Sequence, residues 1–261
     1  MLRFVSDSVV IERRFNGPPD TANGGYACGC LARALDARAD GAGGADGPGG
    51  AVEVSLRRPP PLDEPLDVAL EGEGARLLAG SDVVVEGAPV SADGLGEPVG
   101  PVGVDEARAA QPGSFYLRPS HPFPTCFVCG PRRDEGDGLR IFPAPLDRDG
   151  LFAAVWTPPR DLARADGTVP LEIVWAALDC PTSAPGMNQP GPDGKVLPIV
   201  LARLAVEIGG EVPAGADHVI TSWEIAREGR KREAGAALYS AGGELLARAR
   251  ALWIELKAAP G

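Results

Sequence analysis

The chain has 261 residues, 44 % apolar and 23 % charged, the balance of a soluble globular protein able to fill one large core or two modest ones. Its formal charge of -11 disfavours nucleic acid and anionic membrane surfaces as partners, since neither gains from an acidic face, although a small anion can still use a local basic patch. Five Cys without regular spacing argue for reduced thiols over a disulfide framework, and no stretch approaches a membrane span. The opening MLRFVSDSVVIERRF has no long apolar run after its charge, so no signal peptide is expected and the expected compartment is the cytoplasm.

From Val9 the chain reads VVIERRF, a strand pattern, then the turn-rich NGPPD at 16–20 and a helix over about 22–37 with Asn23-Gly24-Gly25 at its start. A glycine-rich loop at 41–50 leads into AVEVSLR, where Val52, Val54 and Leu56 alternate with Glu53, Ser55 and Arg57 as in a half-buried strand. Further strands are expected at LDVALEG from Leu66, ARLLAG from Ala75 and DVVVEG from Asp82, separated by glycine-containing turns. A Pro/Gly-rich segment follows over 88–138, interrupted by a short helix at 105–110. Strands GLRIFPA from Gly138 and GLFAAVWTPP from Gly150 then precede a helix at about 169–180, which Pro181 is expected to stop or kink. Four strand-like runs close the chain; in the second, Val219, Thr221, Trp223 and Ile225 alternate with their neighbours, and Ser240-Ala241-Gly242-Gly243 marks a turn.

Strand, helix, strands has thus occurred twice, and LARLAVEIGG in the second half parallels AVEVSLRRPP in the first in pattern more than identity. A helix followed by four antiparallel strands buries its apolar stripe where the sheet curls around it, an α+β architecture. Two such sheets can pair edge to edge, which removes edges that would invite aggregation. The expected division is a first unit over 1–90, a Pro/Gly-rich linker over 91–125 and a second unit over 126–261.

Cys126-Phe127-Val128-Cys129-Gly130, followed by Gly138-Leu139-Arg140-Ile141-Phe142, resembles the CFVCG…GL segment of hotdog-fold thioesterases, especially the phenylacetate-pathway type and actinobacterial-looking double-hotdog relatives. The resemblance implies a tandem hotdog, each half an antiparallel sheet wrapped around a central helix, that binds or hydrolyses an acyl thioester such as acyl-CoA. Family members carry His-Gly-Gly at the start of the central helix and an acid nine positions after that His, and their sites lie between two units. Here the first half reads Asn23-Gly24-Gly25 but has Ala32 where the acid belongs, whereas the second has Pro170-Leu171-Glu172 at the helix entry and Asp179 at the acid position. The resemblance therefore implies one composite site with Gly24, Gly25 and Asp179 as catalytic residues, and Asn16, Asn23 and Ser183 as substrate-binding or supporting ones. A fused pair already supplies the family's minimal dimer interface, and a homodimer of the fused chain stays open.

The chemistry asks for such groups. Thioester hydrolysis passes through a tetrahedral oxyanion, and the unpaired first amides of a helix, with glycine leaving room for a carbonyl, are donors fixed where that charge develops. Asp179, among Trp175, Leu178 and Cys180, could activate water or act as nucleophile. The blander readings are a polar residue in a turn for Asp179, an N-cap for Asn23, turn duty for Asn16 and dipole placement for Glu172. A non-catalytic acyl or acyl-CoA binding protein is the alternative function; a hydratase is a third, but its paired Asp and His at the helix entry are not found.

Cys126-x-x-Cys129 has the shape of half a zinc knuckle, which only His121, Cys180 or the distant Cys28 and Cys30 could complete. One CxxC is weak evidence, so the expectation is a structural turn with no metal and no cofactor. No nucleophile elbow, P-loop or dinucleotide fingerprint occurs. The basic groups Arg57-Arg58, Arg132-Arg133 and Arg227 with Arg230-Lys231-Arg232 would each suit the phosphates of coenzyme A, or simply serve solubility.

Overall fold

The computed structural model describes residues 3–41, 50–148, 150–187 and 198–256; the core of the glycine-rich loop expected at 41–50 lies outside them. The first half comprises β1 (Arg3–Val10), α1 (Gly24–Gly41), β2 (Ala51–Leu56), β3 (Pro65–Glu71), β4 (Gly74–Ala79) and β5 (Asp82–Val90). A connecting segment carries the short α2 (Val104–Ala110). The second half comprises β6 (Ala144–Pro145), β7 (Leu151–Trp156), α3 (Leu171–Met187), β8 (Ile199–Ile208), β9 (His218–Glu228), β10 (Lys231–Ser240) and β11 (Leu245–Glu255).

All eleven strands belong to one antiparallel sheet, in the order β1-β3-β4-β5-β2-β8-β11-β10-β9-β7-β6. The strand that follows each helix sits at the centre, so the halves join where β2 pairs with β8, in the register Val52↔Val206, Glu53↔Ala205, Val54↔Leu204 and Ser55↔Arg203. These are the two stretches whose sequences run parallel. Alternation explains the pairing: Val54 and Leu204 are fully buried while Glu53 and Arg203 meet at the surface.

Helices α1 and α3 each pack against the sheet and against one another. Leu31 of α1 and Trp175 and Leu178 of α3 join Val54, Leu204 and Ile220 of the sheet in one continuous core. Burying each such side chain stabilises by roughly 1.5–3 kcal/mol. The helices approach closely because α1 presents glycine where they meet. A Cβ on Gly25 would lie 2.4 Å from Asp179 Cβ and 2.8 Å from the Trp175 carbonyl, and one on Gly29 would lie 2.5 Å from Glu172 Cα. Residues four apart on α1 thus form one seam into which α3 fits.

Two expectations need correction. Helix α3 does not end at Pro181 but runs through Pro181 and Pro185 to Met187. Proline removes a donor from the helix, yet the surrounding structure buries the turn over Cys180–Pro185, and that burial carries the helix past both prolines. The GLRIFPA run is not a strand over its length: only Ala144–Pro145 pairs with β7. Arg140 has φ 52°, which breaks extended backbone, and Pro143 has no N–H to give a ladder; the segment instead bonds the CxxC loop through Leu139 N–H to Phe127 O and Ile141 N–H to Val128 O. The expected helix at 105–110 is α2, and the expected first helix begins at Gly24 and extends to Gly41.

Candidate active site

The entry to α1 is set by a short closed loop. Asn16 and Ala22 form an antiparallel bridge, Asn23 N–H donates to Phe15 O at 2.8 Å, and Ala22 N–H donates to Pro60 O at 2.9 Å. Phe15 stacks on Tyr26 of the first helical turn, with centroids 4.0 Å apart. Asn23 then caps the helix, its Oδ1 accepting from Tyr26 N–H at 2.9 Å. The other end of the same amide points at α3: Asn23 Nδ2 donates to Asp179 Oδ2 at 2.7 Å, and Gly25 N–H donates to that oxygen at 2.9 Å.

Asp179 is 2 % exposed, with no cation bonded to it among the described residues. Burial pushes its carboxyl up to about 7; Gly25 N–H pulls the other way, the Cys126 thiol adds to the rise, and Asn23 opposes it. Oδ1 is buried and has no protein partner. The arrangement fixes one carboxylate oxygen with two neutral donors and leaves the lone pairs of the other uncommitted, which suits a group that takes a proton.

Beside it lies a cavity of about 620 Å³ where the two halves meet, lined among others by Gly24, Leu56, Tyr116, Asp179, Met187 and Leu201. The volume is that of a pocket for a small organic ligand, and its walls are mostly apolar. Gly24 lines it, and a Cβ there would lie 3.0 Å from both Leu56 Cδ1 and Leu201 Cδ2, at the strand ends on either side of the β2–β8 junction, so only glycine fits this wall without crowding. Gly25 is turned away from the cavity, toward Asp179 and α3.

The remaining expected residues divide. Ser183 lines the cavity, but its hydroxyl engages Tyr116 OH at 2.5 Å and the Cys180 carbonyl, so it steadies the helix and the connecting segment. Asn16 is buried with its Nδ2 donating to Gly17 O and Pro18 O and its Oδ1 accepting from Arg133, which places it in the turn that seats Asn23. Of the basic groups, Arg57 and Arg58 line the cavity mouth, half exposed and paired with Glu86 and Asp82. Arg133 is turned inward on Asp137 and backbone carbonyls, and Arg232 is buried against Glu255.

Sequence reasoning missed Tyr116. It lies in the connecting segment, 2 % exposed, and its hydroxyl donates to Ser183 Oγ at 2.5 Å, which in turn donates to the Cys180 carbonyl. Nothing in an aperiodic, proline-rich stretch signals that a tyrosine reaches the site. The CxxC loop also arrives here: Cys126, Cys129 and Cys180 are all buried, line the cavity and have their Sγ atoms within 4.8 Å of one another. Hydrogen bonds from Cys129 and Cys180 hold the Cys126 thiol well below the usual range.

No protein-family model and no curated protein matches the chain. Solved structures do. A tesB protein of Mycobacterium avium subs paratuberculosis has 14 % identity and a TM-score of 0.60 over 92 % of this chain and 90 % of its own. A conserved protein of unknown function with hot dog fold from Alicyclobacillus acidocaldarius has 13 % identity and a TM-score of 0.57 over 99 % and 97 %. An acyl-CoA thioesterase II from Mycobacterium marinum has 12 % identity and a TM-score of 0.55 over 90 % and 91 %. The chain therefore has the hotdog fold. No helix among the described residues is long and apolar enough to cross a membrane.

Proposed function

We propose that the chain is a tandem hotdog that hydrolyses acyl thioesters, acyl-CoA being the substrate class, at one composite site between its halves. The observation that carries this reading is the Asp179 carboxylate from the second half, held by Asn23 and Gly25 from the first, beside a largely apolar cavity of about 620 Å³. The structural neighbour from Mycobacterium marinum, named as an acyl-CoA thioesterase, supports the same class.

The acyl chain lies along the apolar wall formed by Leu56, Met187 and Leu201, with the thioester carbonyl at the entry of α1. There the Gly24 N–H, first of a helix and without an intrahelical acceptor, faces the developing oxyanion, a contact worth about 3 kcal/mol in such sites. Asp179 Oδ1 takes a proton from water as the oxygen attacks the carbonyl carbon. Collapse of the tetrahedral intermediate breaks the C–S bond, and the leaving thiolate recovers the proton. Gly25 acts through the acid: its N–H fixes Oδ2 and so aims Oδ1. Arg57 and Arg58 at the mouth meet the phosphates of coenzyme A.

The test is release of free thiol from short, long and aromatic acyl-CoAs. Turnover with at least one, lost in Asp179→Asn while the fold is retained, is the expected result. Saturable acyl-CoA binding without release would instead make the chain an acyl-CoA binding protein.

A further inference from the structure

Cys126 and Cys129 come from the connecting segment and Cys180 from α3, 54 residues beyond Cys126, yet the three Sγ atoms gather within 4.8 Å of one another. Cys126 Sγ and Cys180 Sγ are 3.8 Å apart. That is far longer than the roughly 2.05 Å of a disulfide. It equals the edge of a tetrahedron whose sulfurs lie about 2.3 Å from a central zinc, roughly 3.8 Å by simple geometry. Packing alone does not require the gathering: Cys28 and Cys30 of α1 are just as buried and stand outside it.

One neutral donor reaches two of the three sulfurs. Asn23 Nδ2 lies 4.0 Å from both Cys126 Sγ and Cys180 Sγ, the distance of a long N–H···S contact. His121 Nδ1 accepts from Phe123 N–H at 2.9 Å, which assigns the ring proton to Nε2; that N–H is buried with no partner. In this tautomer His121 is a donor beside the cluster and not a fourth ligand. The three thiols line the same cavity as Asp179, so a fourth coordination position would open toward it.

We propose that Cys126, Cys129 and Cys180 bind a thiophilic divalent cation of the zinc class, with the fourth position open to the cavity. Three protein ligands with one open position is the pattern of sites that bind water or a ligand, not of closed structural sites. The CxxC alone left His121, Cys180, Cys28 and Cys30 as candidates to complete it, and the fold brings Cys180 to it.

The experiment uses the full chain, purified with reductant, loaded with zinc and desalted, with metal measured by mass spectrometry. The expected result is about one zinc per chain, falling to less than about a tenth in Cys180→Ser and in Cys129→Ser and unchanged in Cys28→Ser. Cobalt in place of zinc should give the intense near-ultraviolet charge-transfer band of thiolate ligands, absent in Cys180→Ser. Should the serine variants not fold, the wild-type chain decides: its cobalt form should show the thiolate charge-transfer band and lose it when a chelator is added. No retained zinc with all thiols reduced, or retention unchanged in Cys180→Ser, would overturn the assignment. Metal content is read without turnover, so this result stands apart from the test of thioester hydrolysis.

Discussion

Two carboxylates lie two turns apart on α3, Glu172 and Asp179, each buried and each packed against a glycine of α1. Each also leaves one oxygen without a partner. Glu172 Oε1 meets the guanidinium of Arg33 at 3.1 Å, a side chain half exposed to solvent, and Glu172 does not line the cavity. Asp179 meets two neutral N–H donors fixed to the start of a helix, and it does. The difference shows what makes a buried carboxylate chemically useful. Glu172 is tied to a cation and lies outside the cavity lining, whereas neutral donors orient Asp179 beside the cavity and burial keeps it basic.

The largest effect should come from the acid itself. Asp179→Asn is expected to lower turnover by about 10²–10⁴-fold, the range for removing a general base, with far-ultraviolet circular dichroism unchanged. Glu172→Gln should stay within a factor of about three in turnover, because Glu172 lies outside the cavity lining and touches no reacting group. Equal losses in the two variants, read by thiol release, would erase the distinction.

The glycines sharpen it next. Gly25→Ala and Gly29→Ala both put a Cβ within 2.5 Å of α3, against Asp179 Cβ and Glu172 Cα respectively, so the helices must separate. Each should destabilise by about 1–3 kcal/mol, measured by urea unfolding. Only Gly25→Ala also displaces the N–H that holds Asp179 Oδ2, so it alone should lose turnover at temperatures where both variants remain folded. Activity loss that merely tracks stability in both would reduce Gly25 to packing.

Much of the frame was legible beforehand, and the reasons are local. Alternation in AVEVSL and the recurrence of its pattern in LARLAVEI marked the strands that become β2 and β8, because a half-buried strand must alternate wherever it sits. The unequal helix entries, Asn23-Gly24-Gly25 against Pro170-Leu171-Glu172, and the acid at Asp179 where the first half has Ala32, were likewise readable from spacing once the family resemblance was in view. What stayed hidden depends on contacts between distant segments. Pro181 reads as a helix stop because its missing N–H is a local fact, while the burial that carries α3 onward is not. Tyr116 and the closure of Cys180 on the CxxC loop are tertiary events with no periodic signature, and Arg140 shows its positive φ only in the folded chain.

The smallest expected effect lies at the cavity mouth. Arg57 pairs with Glu86 at 2.6 Å and Arg58 with Asp82 at 2.9 Å, but both are more than half exposed, so each can turn from its carboxylate to an incoming phosphate at little cost. Arg230, whose guanidinium meets the Glu255 carbonyl, lies outside the cavity lining and serves as the control. Replacing Arg57 and Arg58 together by Ala should raise KM for acyl-CoA severalfold with kcat little changed, since phosphate contacts remote from the carbonyl bind substrate and transition state alike. The effect should shrink as ionic strength rises toward about 1 M, where the screening length falls to roughly 3 Å. Arg230→Ala should leave KM unchanged at every salt concentration. A shift of the same size in Arg230→Ala would mean that the chain's overall negative charge, and not the mouth of the cavity, governs substrate capture.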